Sequence, residues 1–396
     1  MLAMTEPAGA GQALPRAFLR VAGASVAQHQ LGLVLALDCQ RVICVARGMS
    51  PELIALQHAA EDAGLQFYVA TDARQLSGLV TANDELLVIG DGLFADPAKV
   101  VSLFESRVPL VLTLPVESAL AAGFERIDLN RAAAGLMRVP GHVAESLHEL
   151  PADCDVPSAL TRIALQSGVP MRDVPSAARV GTGWRLIRSE AEAYAVETEW
   201  LNEQLAETGG TSPGRSVARL AVLSLGSSLL HAGNASNALA IAVLAVIVMA
   251  GGFGWFGLIW GGFLFAAFAS LLVEGVRLLR LAERQAMGQL PPVIPRSDAL
   301  AWLVDATIGL LSLAAISRVP EESLISWIFP PTILMLLLVL VPNLLTGSIA
   351  AWIRDRAVLG VALALAALVG QVQITIEVLS IGLVLAALAL PMRGQD

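Results

Sequence analysis

The spacing of apolar residues changes character near residue 210. Before it, short apolar runs alternate with segments of helical periodicity; after it, long apolar stretches follow one another. FLRVA (18–22) precedes a helix predicted over 25–37, and RVICVA (41–46) precedes one predicted over 50–63. QFYVA (66–70), ELLVIG (85–90) and PLVLTL (109–114) are continuous and rich in Val, Leu and Ile, the pattern of strands buried on both faces. Strand–helix alternation over 13–208 predicts a doubly wound α/β domain, whose ligands bind beyond the carboxyl ends of the strands. Ile89-Gly90-Asp91-Gly92 lies at such an end, so Asp91 is a candidate functional residue, although Asp-Gly is also an ordinary turn after a strand.

Crossing the hydrocarbon core takes about 20 apolar residues in helix. Six stretches approach that length, at 235–253, 255–276, 299–317, 326–345, 357–370 and 373–391, and they predict an all-α domain over 234–392. Gly370-Gln371-Val372 joins the last two as a tight hairpin. Arg215, Arg219, Arg277, Arg280, Arg284, Arg296, Arg354, Arg356 and Arg393 fall on one side of this six-span scheme. The other side has Arg318, offset by Glu321 and Glu322. The positive-inside rule then places a multi-pass protein in the inner (cytoplasmic) membrane with both termini cytoplasmic. Residues 212–231, opened by Ser212-Pro213-Gly214, carry an apolar stripe and two arginines and predict an interfacial amphipathic helix. The alternative is a seventh membrane segment.

Composition agrees with this division. Of the 396 residues, 56% are hydrophobic and 15% charged, against roughly 45–50% and about 25% in soluble domains, which excludes an ordinary soluble enzyme. The net charge is −9, with the acidic excess in residues 1–210; no basic stripe offers a surface to nucleic acid. Three cysteines without a CxxC pair (Cys39, Cys44, Cys154) fit a reducing compartment. The opening residues do not read as a signal peptide. The five histidines are scattered without an i,i+4 pair, as satisfied core or surface residues are.

Several segments resemble a known family. LPRAFLRVAGASVAQHQLGLVLALDCQRVICVARG looks like the start of a sugar-phosphate nucleotidyltransferase, and Asp91 falls where that family carries a metal-binding Asp. AAAGLMRVP (132–140) and GWRLIRSEAEAYAVETEWLNEQL (183–205) resemble a later strand and the closing helix. The resemblance implies nucleotide binding by Gly9, Gly11, Arg16 and Asp91. The departures are specific. The family's first strand has no counterpart in the polar MLAMTEPAGAGQ, Arg16 stands at the catalytic Lys position, and Arg185-Leu186-Ile187-Arg188 replaces the second metal carboxylate.

A domain of this kind followed by six membrane helices resembles bifunctional inositol-phosphate cytidylyltransferase/CDP-alcohol phosphotransferase proteins. Asn234-Ala235-Ser236-Asn237 lies where that family opens its first span. The membrane half of the family carries D-x-x-D-G-x-x-A-R-x(8)-G-x-x-x-D-x-x-x-D, whose carboxylates hold metal ions on a diphosphate. In LLVEGVRLLR (271–280) Leu271 and Glu274 stand at the first two aspartates and Gly275 matches. In AWLVDATIG (301–309) Asp305 stands at the third and Gly309 at the fourth, and Pro291, Pro292 and Pro295 lengthen the intervening segment.

The resemblance implies catalytic roles for Glu274 and Asp305, Mg or Mn held by Asp91, Glu274 and Asp305, and a CDP-alcohol or lipid ligand. Read from the residues alone, Glu274 pairs with Arg277 and Asp305 bonds to a neighbouring helix. Glu377, deep in an apolar stretch, pairs with an arginine of another helix or is protonated. Two functions stay open: a divergent enzyme of phospholipid head-group synthesis, or a non-catalytic scaffold or regulatory subunit that forms a homodimer or binds a protein partner. A small-solute transporter is a third, with Pro330, Pro331 and Pro342 as its hints of broken helices.

Overall fold

Strands and helices alternate through the first half of the chain, and helices alone fill the second. The computed structural model describes residues 1–9, 14–151, 154–207, 212–231, 235–287, 296–316, 324–345 and 347–389. The chain divides into two compact units, the first chiefly Met1–Glu203 and the second built from Gln204–Ala282 and Leu290–Asp396.

The first unit is built on a seven-stranded sheet: β1 (Leu2–Met4), β2 (Arg41–Ala46), β3 (Gln66–Ala70), β4 (Glu85–Ile89), β5 (Leu110–Pro115), β6 (Arg131–Pro140) and β7 (Met171–Asp173). Their order is β3-β2-β1-β4-β6-β5-β7. Only β6 runs antiparallel to its neighbours. Period-two alternation divides the strands between two cores. Leu2, Val42, Cys44, Leu87 and Ile89 pack with helices α1 (Val26–Ala36), α2 (Pro51–Asp62) and α4 (Pro97–Leu103). Ala3, Ile43, Val45, Leu86 and Val88 pack with α3 (Ala73–Leu79) and α5 (Val156–Gln166). Both faces are therefore covered, as a mostly parallel sheet requires. The helices start where capping residues stop the strand pattern: Ser25 with Gln28 in a capping box, then Ser50, Asp72, Asp96 and Asp155, each accepting a first-turn N–H. A closing helix, α6 (Glu190–Glu207), follows.

Two sequence expectations fail here. The opening residues do form a strand, and β1 lies at the centre of the sheet, with Leu2 opposite both Cys44 and Ile89. Met1-Leu2-Ala3-Met4 is too short an apolar run to show against Thr5-Glu6-Pro7, yet a central strand flanked by two others needs no more. FLRVA is not a sheet strand either. A 3-10 turn over Arg16–Phe18 leads into a two-residue ribbon, Arg20–Val21 against Ala24–Ser25. Its turn residues Ala22 and Gly23 both have positive φ (53° and 83°), and this turn cuts the apolar run. Ala22 is held in that conformation by its N–H, which donates to Glu197 Oε2 at 2.8 Å.

The second unit comprises α7 (Pro213–His231), α8 (Ala235–Trp255), α9 (Ile259–Met287), α10 (Arg296–Ala315), α11 (Leu324–Leu344), α12 (Gly347–Arg354), α13 (Arg356–Leu368) and α14 (Val372–Ala389). Among the described residues four segments are long and apolar enough to cross a membrane: Asn237–Trp255, Ile259–Arg280, Asp298–Ala315 and Trp327–Leu344. The fifth and sixth expected stretches are shorter apolar helices, Arg356–Leu368 and Val372–Leu388. They meet at a turn with Gly370 at φ 74°, closed by Gln371 N–H on Ala366 O at 2.8 Å. The α12 helix was not expected. Asn234, Pro291, Pro292, Pro295, Arg318, Glu321, Glu322 and Arg393 lie outside the described residues.

The prolines do not break α11, which runs through Pro330, Pro331 and Pro342. Pro342 has no N–H, so the carbonyl four residues back, Leu338 O, is left without its helical donor. Arg356 supplies one: its Nη2 donates to Leu338 O at 3.2 Å.

Candidate functional site

In the first unit the strand order reverses between β1 and β4, and a cavity of about 250 Å³ lies beyond their carboxyl ends, at the topological switch point. Glu6 follows β1, Asp91 follows β4, and Arg16 completes the rim. The structure therefore brings together two residues singled out in the sequence, Arg16 and Asp91. Gly9 is not part of the lining, and Gly11 lies outside the described residues. The loop after β1 closes on itself instead, with Ala8 N–H on Leu14 O (2.8 Å) and Arg16 N–H on Glu6 O (2.9 Å).

Asp91 is only 8% exposed. Its Oδ2 accepts from Glu6 N–H at 2.7 Å, while Oδ1 has no partner among the described residues. Burial pushes its carboxyl up to about 7, against the opposing pull of the Glu6 N–H and of Arg16. The turn is fixed from below by Gln30, whose Nε2 donates to Gly90 O (3.0 Å) and Leu93 O (2.9 Å). Gly92, at φ 75°, must be glycine, since a Cβ there would lie 2.4 Å from Ile187 O. Sequence reading missed Gln30; an amide inside the apolar run of α1 was the available signal.

A divalent ion between phosphates wants several oxygen ligands. Four carboxylates line the cavity: Glu125 accepts from the Ser158 hydroxyl, Asp155 from the Ser158 N–H, Glu6 faces Arg16 at 3.7 Å, and Asp91 keeps one orphaned oxygen on a carboxyl that burial pushes up to about 7. Arg185 and Arg188, at the second metal position of the resemblance, are engaged with Glu199 (3.2 Å) and Glu192 (2.6 Å). Among the described residues no group of three His, Cys, Asp or Glu side chains gathers here to hold Mg or Mn.

The second unit holds a larger cavity, about 620 Å³, bordered by the first turn of α7, by α9, α10, the end of α11 and the α12–α13 junction. Glu274 and Asp305 both line it. Glu274 is bonded to Arg277 (2.5 Å), which also reaches Asp298 at 3.2 Å. Asp305 accepts a forked pair from Arg356, at 2.7 Å to Nε and 3.3 Å to Nη2. Each carboxylate has an arginine where the resemblance would have a metal ion. No group of three His, Cys, Asp or Glu that could hold a metal occurs among the described residues. Glu377 is bonded to Gln373 Nε2 at 3.2 Å, a neighbour on its own helix.

Of the residues that organise this cavity, Arg354 and Arg356 entered the sequence reading only as a charge bias, and Asp355 was missed. Three consecutive ions inside SIAAWIRDRAVLGV were the stronger signal. Asp355 caps α13 by accepting from Ala357 and Val358 N–H, and it also accepts from Gly214 N–H at 2.6 Å, so one carboxylate holds two helix N-termini. A Cβ at Gly214 would come within 2.4 Å of Asp355 Oδ1. Gly214→Ala is therefore expected to lower stability by about 1–2 kcal/mol, the usual worth of a lost cap, read as a lower melting temperature of the detergent-purified protein. An unchanged melting point would show that α7 is not held there.

No family model and no curated protein matches the chain. Solved structures similar to its first half include a UDP-glucose pyrophosphorylase from Acinetobacter baumannii, at 10% identity over 51% of this chain and 92% of that one, with a TM-score of 0.36. Another is the inositol-1-phosphate CTP transferase from T. maritima, at 15% identity over 50% of this chain and 94% of that one, with a TM-score of 0.37.

Proposed function

We propose that this chain is a membrane-embedded, non-catalytic relative of the proteins that fuse a cytidylyltransferase-like domain to CDP-alcohol phosphotransferase-like helices. It serves phospholipid head-group synthesis as a binding or scaffold component and does not transfer the phosphoalcohol. The observation that carries this reading is the pairing of Glu274 with Arg277 and of Asp305 with Arg356. A two-metal transfer needs those carboxylates free to hold cations on the diphosphate. An arginine 2.7 Å away already neutralises Asp305, and Glu274 is matched in the same way. The arginine distribution along the chain supports an inner-membrane location with cytoplasmic termini.

The test is CMP release from a CDP-alcohol by the full chain in lipid vesicles with Mg²⁺ or Mn²⁺. The expected result is release at the rate of protein-free vesicles. Release that Asp305→Ala abolishes would restore the enzyme reading.

A further inference from the structure

We infer that the cavity of the second unit binds a phosphate group directly on Arg215 and Arg354, without a divalent cation. The lining carries four arginines, and they divide into two pairs. Arg277 and Arg356 are committed as fixed counter-ions of Glu274 and Asp305. Arg215 and Arg354 are not. Arg354 donates through Nη2 to Pro342 O (2.8 Å) and Asn343 Oδ1 (3.3 Å), both neutral acceptors, and no carboxylate pairs with it among the described residues. The Arg215 side chain lines the cavity half-buried and has no bonding partner among the described residues.

The third lining carboxylate, Asp355, is bonded to the N–H groups of Gly214, Ala357 and Val358 and to neither of these arginines. Four arginines against three carboxylates leave the lining with a formal charge of +1. A guanidinium presents a planar fork of donors that matches phosphate oxygens two at a time, and Arg215 and Arg354 both line this one cavity. The volume, about 620 Å³, falls within the usual range for a small-molecule site and exceeds what phosphate alone fills. Leu271, Trp302, Val304 and Val339 supply apolar wall beside the charged floor, the pattern an amphiphile with a phosphate head would use.

Phosphate on a lipid head and phosphate free in water share this chemistry. The metal-free character rests on the reading above only in that Glu274 and Asp305 stay with their arginines.

The experiment is ligand-dependent thermal stability of the detergent-purified full chain, held in EDTA, titrated with inorganic pyrophosphate in one series and dihexanoyl phosphatidic acid in another. Dihexanoyl phosphatidylcholine serves as the lipid control. A saturable rise in melting temperature with either phosphate probe is expected in EDTA, with no requirement for Mg²⁺. Arg215→Gln should weaken the apparent affinity at least tenfold. That variant is the cleaner one, because no hydrogen bond of the described residues depends on the Arg215 side chain; Arg354→Lys, which keeps the charge and loses the fork, should weaken it as well. Response to phosphatidic acid alone names a lipid head group as the source, and response to pyrophosphate names a soluble one. Binding that needs Mg²⁺, binding indifferent to Arg215→Gln, or no binding of either probe each overturns the assignment. CMP release under the previous test with metal-free binding intact would instead remove only the non-catalytic reading.

Discussion

Asp305→Ala is expected to lower the stability of the helical unit by about 2–3 kcal/mol, and the double variant Asp305→Leu/Arg356→Leu is expected to recover most of the loss. The two side chains are 25% and 16% exposed, so their charges are largely withdrawn from water. Removing one partner strands the other as an uncompensated, mostly buried ion, which typically costs about 3–5 kcal/mol when burial is complete. Partial exposure reduces that figure here. Replacing both ions by apolar groups of similar size removes the desolvation cost along with the attraction and is often neutral. Arg356 does more than pair, because it also donates to Leu338 O and, at 3.2 Å, to Ile353 O. The double variant should therefore fall slightly short of full recovery, by the worth of the Leu338 carbonyl that Pro342 leaves open. Intrinsic tryptophan fluorescence follows the helical unit through Trp255, Trp260, Trp302, Trp327 and Trp352 once Trp184 and Trp200 of the first unit are replaced by Phe in parent and variant alike, and a melting shift of roughly 4–12 °C corresponds to the single-variant loss. An Asp305→Ala protein that melts with the parent would mean that Asp305 and Arg356 are solvated independently and that the carboxylate is free for other work.

How much of this was legible in the sequence depends on the length scale of each signal. The strand Arg41–Ala46 coincides with its apolar run because a strand buried on both faces shows every residue to a core, whereas Gln66–Ala70, at the sheet edge, buries only Ala70 and was found by its β-rich composition. Leu2–Met4 escaped because its burial comes from neighbours forty and eighty residues away, not from its own length. Asp91 was readable from its place at a strand end and Arg16 from the resemblance, whereas the burial that raises the Asp91 carboxyl and the bonds from Gln30 that fix its turn come from residues distant in sequence. In the helical unit, Glu274 with Arg277 is an i,i+3 pair and visible by eye. The Asp305–Arg356 and Asp355–Gly214 contacts span 51 and 141 residues and could only be found in three dimensions.

Asp91→Asn is expected to steepen the pH dependence of the first unit. With its folded value raised from 3.8 to about 7 by burial, Asp91 contributes stability that is complete below about pH 4 and is lost as pH rises through 7. About three units at roughly 1.4 kcal/mol each sets a ceiling of about 4 kcal/mol on that loss. His29 acts in the opposite direction. Buried beside Phe94 and donating from Nε2 to Val21 O at 2.9 Å, it is pushed down from 6.5 to about 4, so its contribution is complete above pH 6.5 and is lost as pH falls through 4. Between pH 4 and 6 the two slopes oppose and nearly cancel; above pH 6 the buried Met1 ammonium, pushed down from 8.0 to about 6, adds stability as pH rises, so the parent should be flat to pH 6 and rise slightly to pH 8. Asparagine keeps an acceptor for Glu6 N–H and cannot ionise. The variant should then gain stability as pH rises from 4 to 8 and exceed the parent at pH 7 and above by roughly 2–4 kcal/mol. All three cysteines lie in this unit and Cys44 is fully buried, so a pulse of thiol reagent across a urea series reads its unfolding midpoint within the intact chain. A variant whose midpoints track the parent from pH 4 to 8 would show that Asp91 is ionised in the folded protein, and would return its free oxygen to the list of groups able to hold a cation.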